Sequence, residues 1–114
     1  MKKLLFIMLL LSSCASLATE DFRWAISAEE WARPRSAERI LSMQPIVESV
    51  RLWMQSPGYQ LVIKHPGGEE GALWGGELKD WLVSLGVPSS EVQAISGHIR
   101  NDELIIVLRR QGDL

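Results

Sequence analysis

Leu104-Ile105-Ile106-Val107-Leu108 runs through five aliphatic residues without a polar interruption, and it constrains the fold of this chain more than any other stretch. β-Branched residues dominate it and turn-forming residues precede it, so it reads as a strand. Tyr59-Gln60-Leu61-Val62-Ile63-Lys64 has the same character behind the stop signal Ser56-Pro57-Gly58 and is expected to be buried on at least one face. In Phe22-Arg23-Trp24-Ala25-Ile26-Ser27, large apolar residues alternate with smaller or polar ones, the period of a half-buried strand. Residues 92–96 make a shorter fourth strand, separated from the last by a loop at 97–102.

Helical signals fill the intervals. Ser27 begins Ser-Ala-Glu-Glu, a capping box with Glu30 at the third helical position. That helix is short, because Arg33 precedes Pro34 and is pushed out of the α region. Ser36 caps a second short helix reaching about Met43, and Pro45 suits the start of a third that ends near Gln55. In the third, Ile46, Val47, Val50, Trp53 and Met54 are expected to share the face that packs on a sheet. A fourth helix, from about Glu69 to Leu85, carries Trp74, Leu78, Trp81, Leu82 and Leu85 on one stripe. Gly86 and Pro88 end it. Of the five tryptophans, Trp24, Trp53, Trp74 and Trp81 fall on faces expected to be buried, and Trp31 is the one expected at a surface.

The order strand, helices, strand, helix, strand, strand predicts an α/β (α+β) two-layer sandwich, a small mixed sheet with helices on one face. The strand-helix-strand crossover implies a parallel pair, and the last two strands are expected to form a hairpin.

The N-terminus supplies an address. MKKLLFIMLLLSSCASLATED has two lysines, an apolar run at 4–11 and small residues around the single cysteine, the layout of a secretory signal peptide. The run is far short of the ~20 residues that a spanning helix needs. Leu11-Ser12-Ser13-Cys14 resembles the bacterial lipobox, which makes residues 1–13 the signal peptide, Cys14 the lipidated N-terminus and 14–21 a short linker. Cleavage after Ala18, with a signal peptide at 1–18 and a soluble product, is the alternative. A single domain at 22–110 and a tail at 111–114 complete the expected organisation. Loss of Lys2 and Lys3 leaves 10 basic against 14 acidic residues, a formal charge of −4 over 101 residues. Nucleic acid is excluded as a partner on that charge, and Cys14 stands alone, so no disulfide staples the domain.

The stretch KHPGGEEGALWGGEL, between the second strand and the fourth helix, is the candidate functional loop, with His65, Gly67, Gly68, Glu69 and Glu70 as its candidate residues. Glycines before a helix N-terminus suit an anion, but Glu69 and Glu70 occupy the anion's place and no phosphate-loop or dinucleotide spacing is present. The two glutamates are read instead as complements to the helix dipole. Neither a His-Glu-x-x-His pattern nor a cysteine pair supports a metal site, although His98 stands in a later loop. The serines lie in caps and loops outside any Gly-x-Ser-x-Gly, so no catalytic residue, metal or cofactor is assigned. Gly75 and Gly76, inside the helix, predict either a close approach of its backbone to the sheet or an irregular first turn.

A strand ending in a His-containing turn (Leu61-Val62-Ile63-Lys64-His65-Pro66-Gly67), a helix closing as Trp81-Leu82-Val83-Ser84-Leu85-Gly86-Val87-Pro88, the segment Ser90-Glu91-Val92-Gln93-Ala94-Ile95-Ser96-Gly97 and a final strand together resemble the OmpA-like domain. That family is the peptidoglycan-associated module of envelope lipoproteins. The resemblance covers roughly residues 22–109 and implies attachment to the cell wall. The family grips diaminopimelate with an aspartate two residues after the turn's histidine or tyrosine and with an arginine in the following helix. Here Gly67 stands in the aspartate's place and residues 68–99 contain no arginine, so no binding residue carries over.

The expectation is therefore a non-enzymatic lipoprotein of the bacterial envelope, anchored through Cys14 to the outer membrane and facing the periplasm. It contacts an envelope protein, or weakly the cell wall. The rival readings are a periplasmic ligand-binding or catalytic domain using the 65–71 turn, and a soluble exported protein.

Overall fold

The computed structural model describes residues 22–97 and 100–112. The order is β1 (Phe22–Ser27), α1 (Ala28–Trp31), α2 (Ala37–Ser42), α3 (Gln44–Met54), β2 (Tyr59–His65), α4 (Gly68–Ser84), a 3₁₀ turn at Ser89–Glu91, β3 (Val92–Ser96) and β4 (Glu103–Arg110). The four strands form one mixed sheet in the order β1-β4-β2-β3, the α+β sandwich that the alternation of strands and helices predicts. β2 and β3, joined through α4, are parallel, whereas β4 runs antiparallel to both of its neighbours.

The expected hairpin between the last two strands does not form. β4 inserts between β1 and β2, and β2 separates it from β3. The reason lies in its own composition: residues 104–108 are apolar on both faces, and all five are buried. Beside β3 that strand would be an edge with one side open to water, while between β1 and β2 both its edges are paired and its side chains on each face are flanked by those of two neighbours.

The side chains of β4 divide accordingly. Leu104, Ile106 and Leu108 join Ile26, Leu61 and Ile63 in the main core beneath the helices. Ile105 and Val107 join Val62 in a smaller cluster on the opposite face. The helical layer adds Trp31, Ile40, Ile46, Leu78 and Leu82, all fully buried. Burying a side chain of this kind is worth about 1.5–3 kcal/mol, so these residues dominate the stability of a domain this small.

Local signals explain the helix starts. Ser27 Oγ accepts the Glu30 N–H at 3.1 Å and Ser36 Oγ accepts the Arg39 N–H at 3.2 Å, each satisfying a donor that the helix itself leaves free. Gly86, at φ +111°, terminates α4 in a conformation that other residues rarely adopt.

Two helix faces differ from their expected residues. On α3 the buried positions are Ile46 and Ser49, with Val50 and Trp53 packed beside them, whereas Met54 is 71% exposed. Ser49 is accommodated because its hydroxyl donates to the Ile46 carbonyl at 3.0 Å. Trp31, expected at a surface, is fully buried, while Trp24, Trp53, Trp74 and Trp81 are only partly buried around the core. The break before Pro34 turns the chain so that Arg35 lies over the Trp31 ring, its guanidinium carbon 4.6 Å from the ring centroid. Arg35 also donates to the Trp31 carbonyl and pairs with Glu77 of α4. This clamp holds the short α1 against the rest of the molecule.

Candidate functional site

The 65–71 turn joins the end of β2 to the start of α4, and its chemistry follows from how tightly the two elements meet. His65 is buried. Its Nδ1 lies 2.8 Å from the Pro66 carbonyl oxygen. A carbonyl can only accept, so Nδ1 carries the hydrogen. The imidazole rests directly on α4: a Cβ added at Gly75 would lie 2.5 Å from His65 Cδ2 and 3.0 Å from Cγ. One turn earlier, a Cβ at Gly71 would fall on the Pro66 carbonyl, 2.6 Å from its carbon. Gly71 and Gly75 thus allow the helix backbone to touch the turn and the histidine, which is the close approach expected from a glycine inside a helix. Gly76 faces open space and takes no part in it.

The remaining candidates lie outside this contact. Gly67 is the N-cap residue of α4 and Gly68, at φ +89°, sets the helix direction. Glu69 and Glu70 occupy the first turn and are exposed, where their charges complement the N-terminal end of the helix dipole. A small hollow of about 160 Å³ opens beside the turn, lined by Pro66, Gly67, Glu70, Gly71, Trp74 and Asn101. Among the described residues no three His, Cys, Asp or Glu side chains gather as a metal site would require. Cys14 and His98 lie outside the described residues.

A second surface was not singled out in the sequence. Phe22, 60% exposed, stacks on Trp24 with ring centroids 6.4 Å apart at the outer side of β1. Trp24 Nε1 donates to Glu48 Oε2 at 3.3 Å, and Glu48 Oε1 accepts from Gln44 Nε2 at 2.7 Å. Between β1 and α3 lies a groove of about 340 Å³ lined by Phe22, Trp24, Glu48, Arg51, Leu52 and Gln55. The alternation in β1 predicts a half-buried strand, but only the sheet order reveals that no described strand pairs with its outer edge.

Compared with known proteins, the chain matches no family model, and no curated protein matches it either.

Proposed function

We propose that this protein is an exported, lipid-anchored domain of the bacterial envelope that works by contact rather than by catalysis. Its partner is another envelope protein or, weakly, the cell wall. The observation that carries this reading is the engagement of His65. The histidine of the turn is packed on Gly75 and bonded to the adjacent carbonyl. Its Nδ1 is bonded to a backbone carbonyl, which leaves Nε2 as the basic atom, and among the described residues no side chain bonds to that nitrogen to make a catalytic pair. The lipobox at residues 11–14 supports the anchor. The likeness of the 61–67 and 81–88 segments to the OmpA-like module supports an envelope setting, without that family's aspartate and arginine.

The test is anchoring together with contact. Cys14→Ser removes the one acylatable thiol, so palmitate labelling disappears and the protein leaves the membrane fraction. Labelling that persists in that variant would contradict the anchor. Crosslinking in intact envelopes, with the crosslinker placed on exposed positions, should capture a discrete partner or wall fragments from the wild type.

The rival reading, in which the 65–71 turn binds a ligand, rests on the hollow beside Glu70 and Trp74. It requires that replacing Glu69 and Glu70 abolish function while the fold stays intact.

A further inference from the structure

The outer edge of β1 has a definite hydrogen-bonding pattern. The Ala28 N–H donates to the Asp102 carbonyl at 2.7 Å, which continues the β1–β4 register Ser27↔Glu103 by one step. In an antiparallel pair, residues that exchange hydrogen bonds alternate with residues that do not. Ala28, Ile26, Trp24 and Phe22 therefore bond to β4. Arg23 and Ala25 direct their N–H and C=O groups away from it, and Ser27 its N–H, its C=O being the first acceptor of α1. Among the described residues no strand pairs with that side. Such an edge recognises one thing well, the backbone of another extended segment.

The surroundings specify the side chains of that segment. A strand laid along β1 would project alternate residues toward the helical layer, into the groove of about 340 Å³ where Phe22, Trp24 and Leu52 provide apolar contact. The intervening residues would lie beside Arg23, Ala25 and Ser27 on the opposite face. Charge favours one sign. On the face where the intervening residues would lie, the charged side chain of β1 is Arg23, which is exposed and favours an acidic neighbour, while in the groove the charges of Arg51 and Glu48 offset each other. The other edge strand, β3, pairs with β2 alone and is likewise unpaired on its outer side among the described residues, but the groove lined by Phe22, Trp24 and Leu52 lies at β1.

We infer that β1 docks an extended segment of a partner protein in which apolar residues alternate with acidic ones, added to the sheet as a fifth strand beside Arg23, Ala25 and Ser27. The inference rests on the reading of the domain as a contact module and names the chemistry of its partner.

The experiment uses the full chain in detergent micelles and two blocked peptides, one alternating leucine with glutamate and one alternating leucine with lysine. Amide hydrogen exchange is followed at single-residue resolution. The acidic peptide should slow exchange at Arg23, Ala25 and Ser27, and the basic peptide should not. Ala25→Pro removes an outward N–H while leaving the β4 ladder intact, since proline is tolerated at such edge positions, and it should weaken peptide binding by about tenfold or more. Arg23→Glu, an exposed change that spares the fold, should reverse the preference between the peptides. Protection at β3 instead of β1, equal binding of both peptides, or unchanged binding by both variants would overturn the proposal. So would slow exchange at the three amides that depends on protein concentration in the absence of peptide, which would make a second copy of β1 the occupant. Envelope crosslinks that survive in both variants, with no peptide bound by the wild type, would overturn strand docking and leave the contact reading standing.

Discussion

The turn at 65–71 and the outer edge of β1 exchange the roles that their sequences suggest. The turn has the glycines, histidine and acidic residues of a binding loop, yet its most reactive side chain is enclosed between Gly75 and the Pro66 carbonyl. The edge has a plain alternating sequence, yet it carries exposed aromatic surface, two exposed arginines and outward-facing backbone groups. Residue types that can do chemistry become a site only where the fold leaves them accessible. Glycines beside a histidine here serve a helix that must approach a strand closely.

Substitutions that probe the interior separate these regions most strongly. Trp31→Ala should cost about 3–5 kcal/mol in denaturant melts, because the indole is fully buried and the Arg35 guanidinium loses the ring it covers. Trp81→Ala, at a partly buried position, should cost less. Equal losses would mean that the Arg35 clamp contributes nothing to holding α1.

Next in size is the packing of the turn itself. Gly75→Ala should destabilise by about 1–3 kcal/mol, since the added methyl meets the His65 ring. In a His65→Ala background the same change should cost much less, a coupling that a double-mutant cycle measures directly. Additive effects would show that the ring does not rest on α4 and would reopen the turn as a site.

The smallest effect concerns the exposed first turn of α4. Replacing Glu69 and Glu70 with glutamine should lower stability by no more than about 2 kcal/mol through the lost dipole interaction, and should leave partner capture unchanged. Lost capture with an unaltered melting curve would transfer the function from β1 to the turn.

Much of this architecture is legible in the sequence. Capping serines, the terminating Gly86 and the aliphatic runs mark every strand and α-helix within a few residues, because each signal acts on its own neighbourhood. The strand order is less legible, since adjacency in the sheet depends on long-range partners. The uninterrupted stretch at 104–108 reports two covered faces, but which strands flank it is set by those partners. Trp31 shows the limit of periodicity: α1 is one turn long, too short for a repeating stripe, and the burial of its tryptophan depends on Arg35 and Glu77 arriving from elsewhere. The edge of β1 escapes notice for a related reason. A strand's sequence reports which faces are covered and says little about which of its edges is paired.

Amide hydrogen exchange along β1 and the start of α4, recorded on the free protein, tests most directly the claim that the turn is closed packing and the edge is open. The amides of Trp24 and Ile26, bonded to β4, should exchange slowly, as should Gly75 within α4. Those of Arg23, Ala25 and Ser27 should exchange rapidly. Uniform protection along β1 together with rapid exchange at Gly75 would contradict the account, because the edge would then be covered and the helix beside His65 loose.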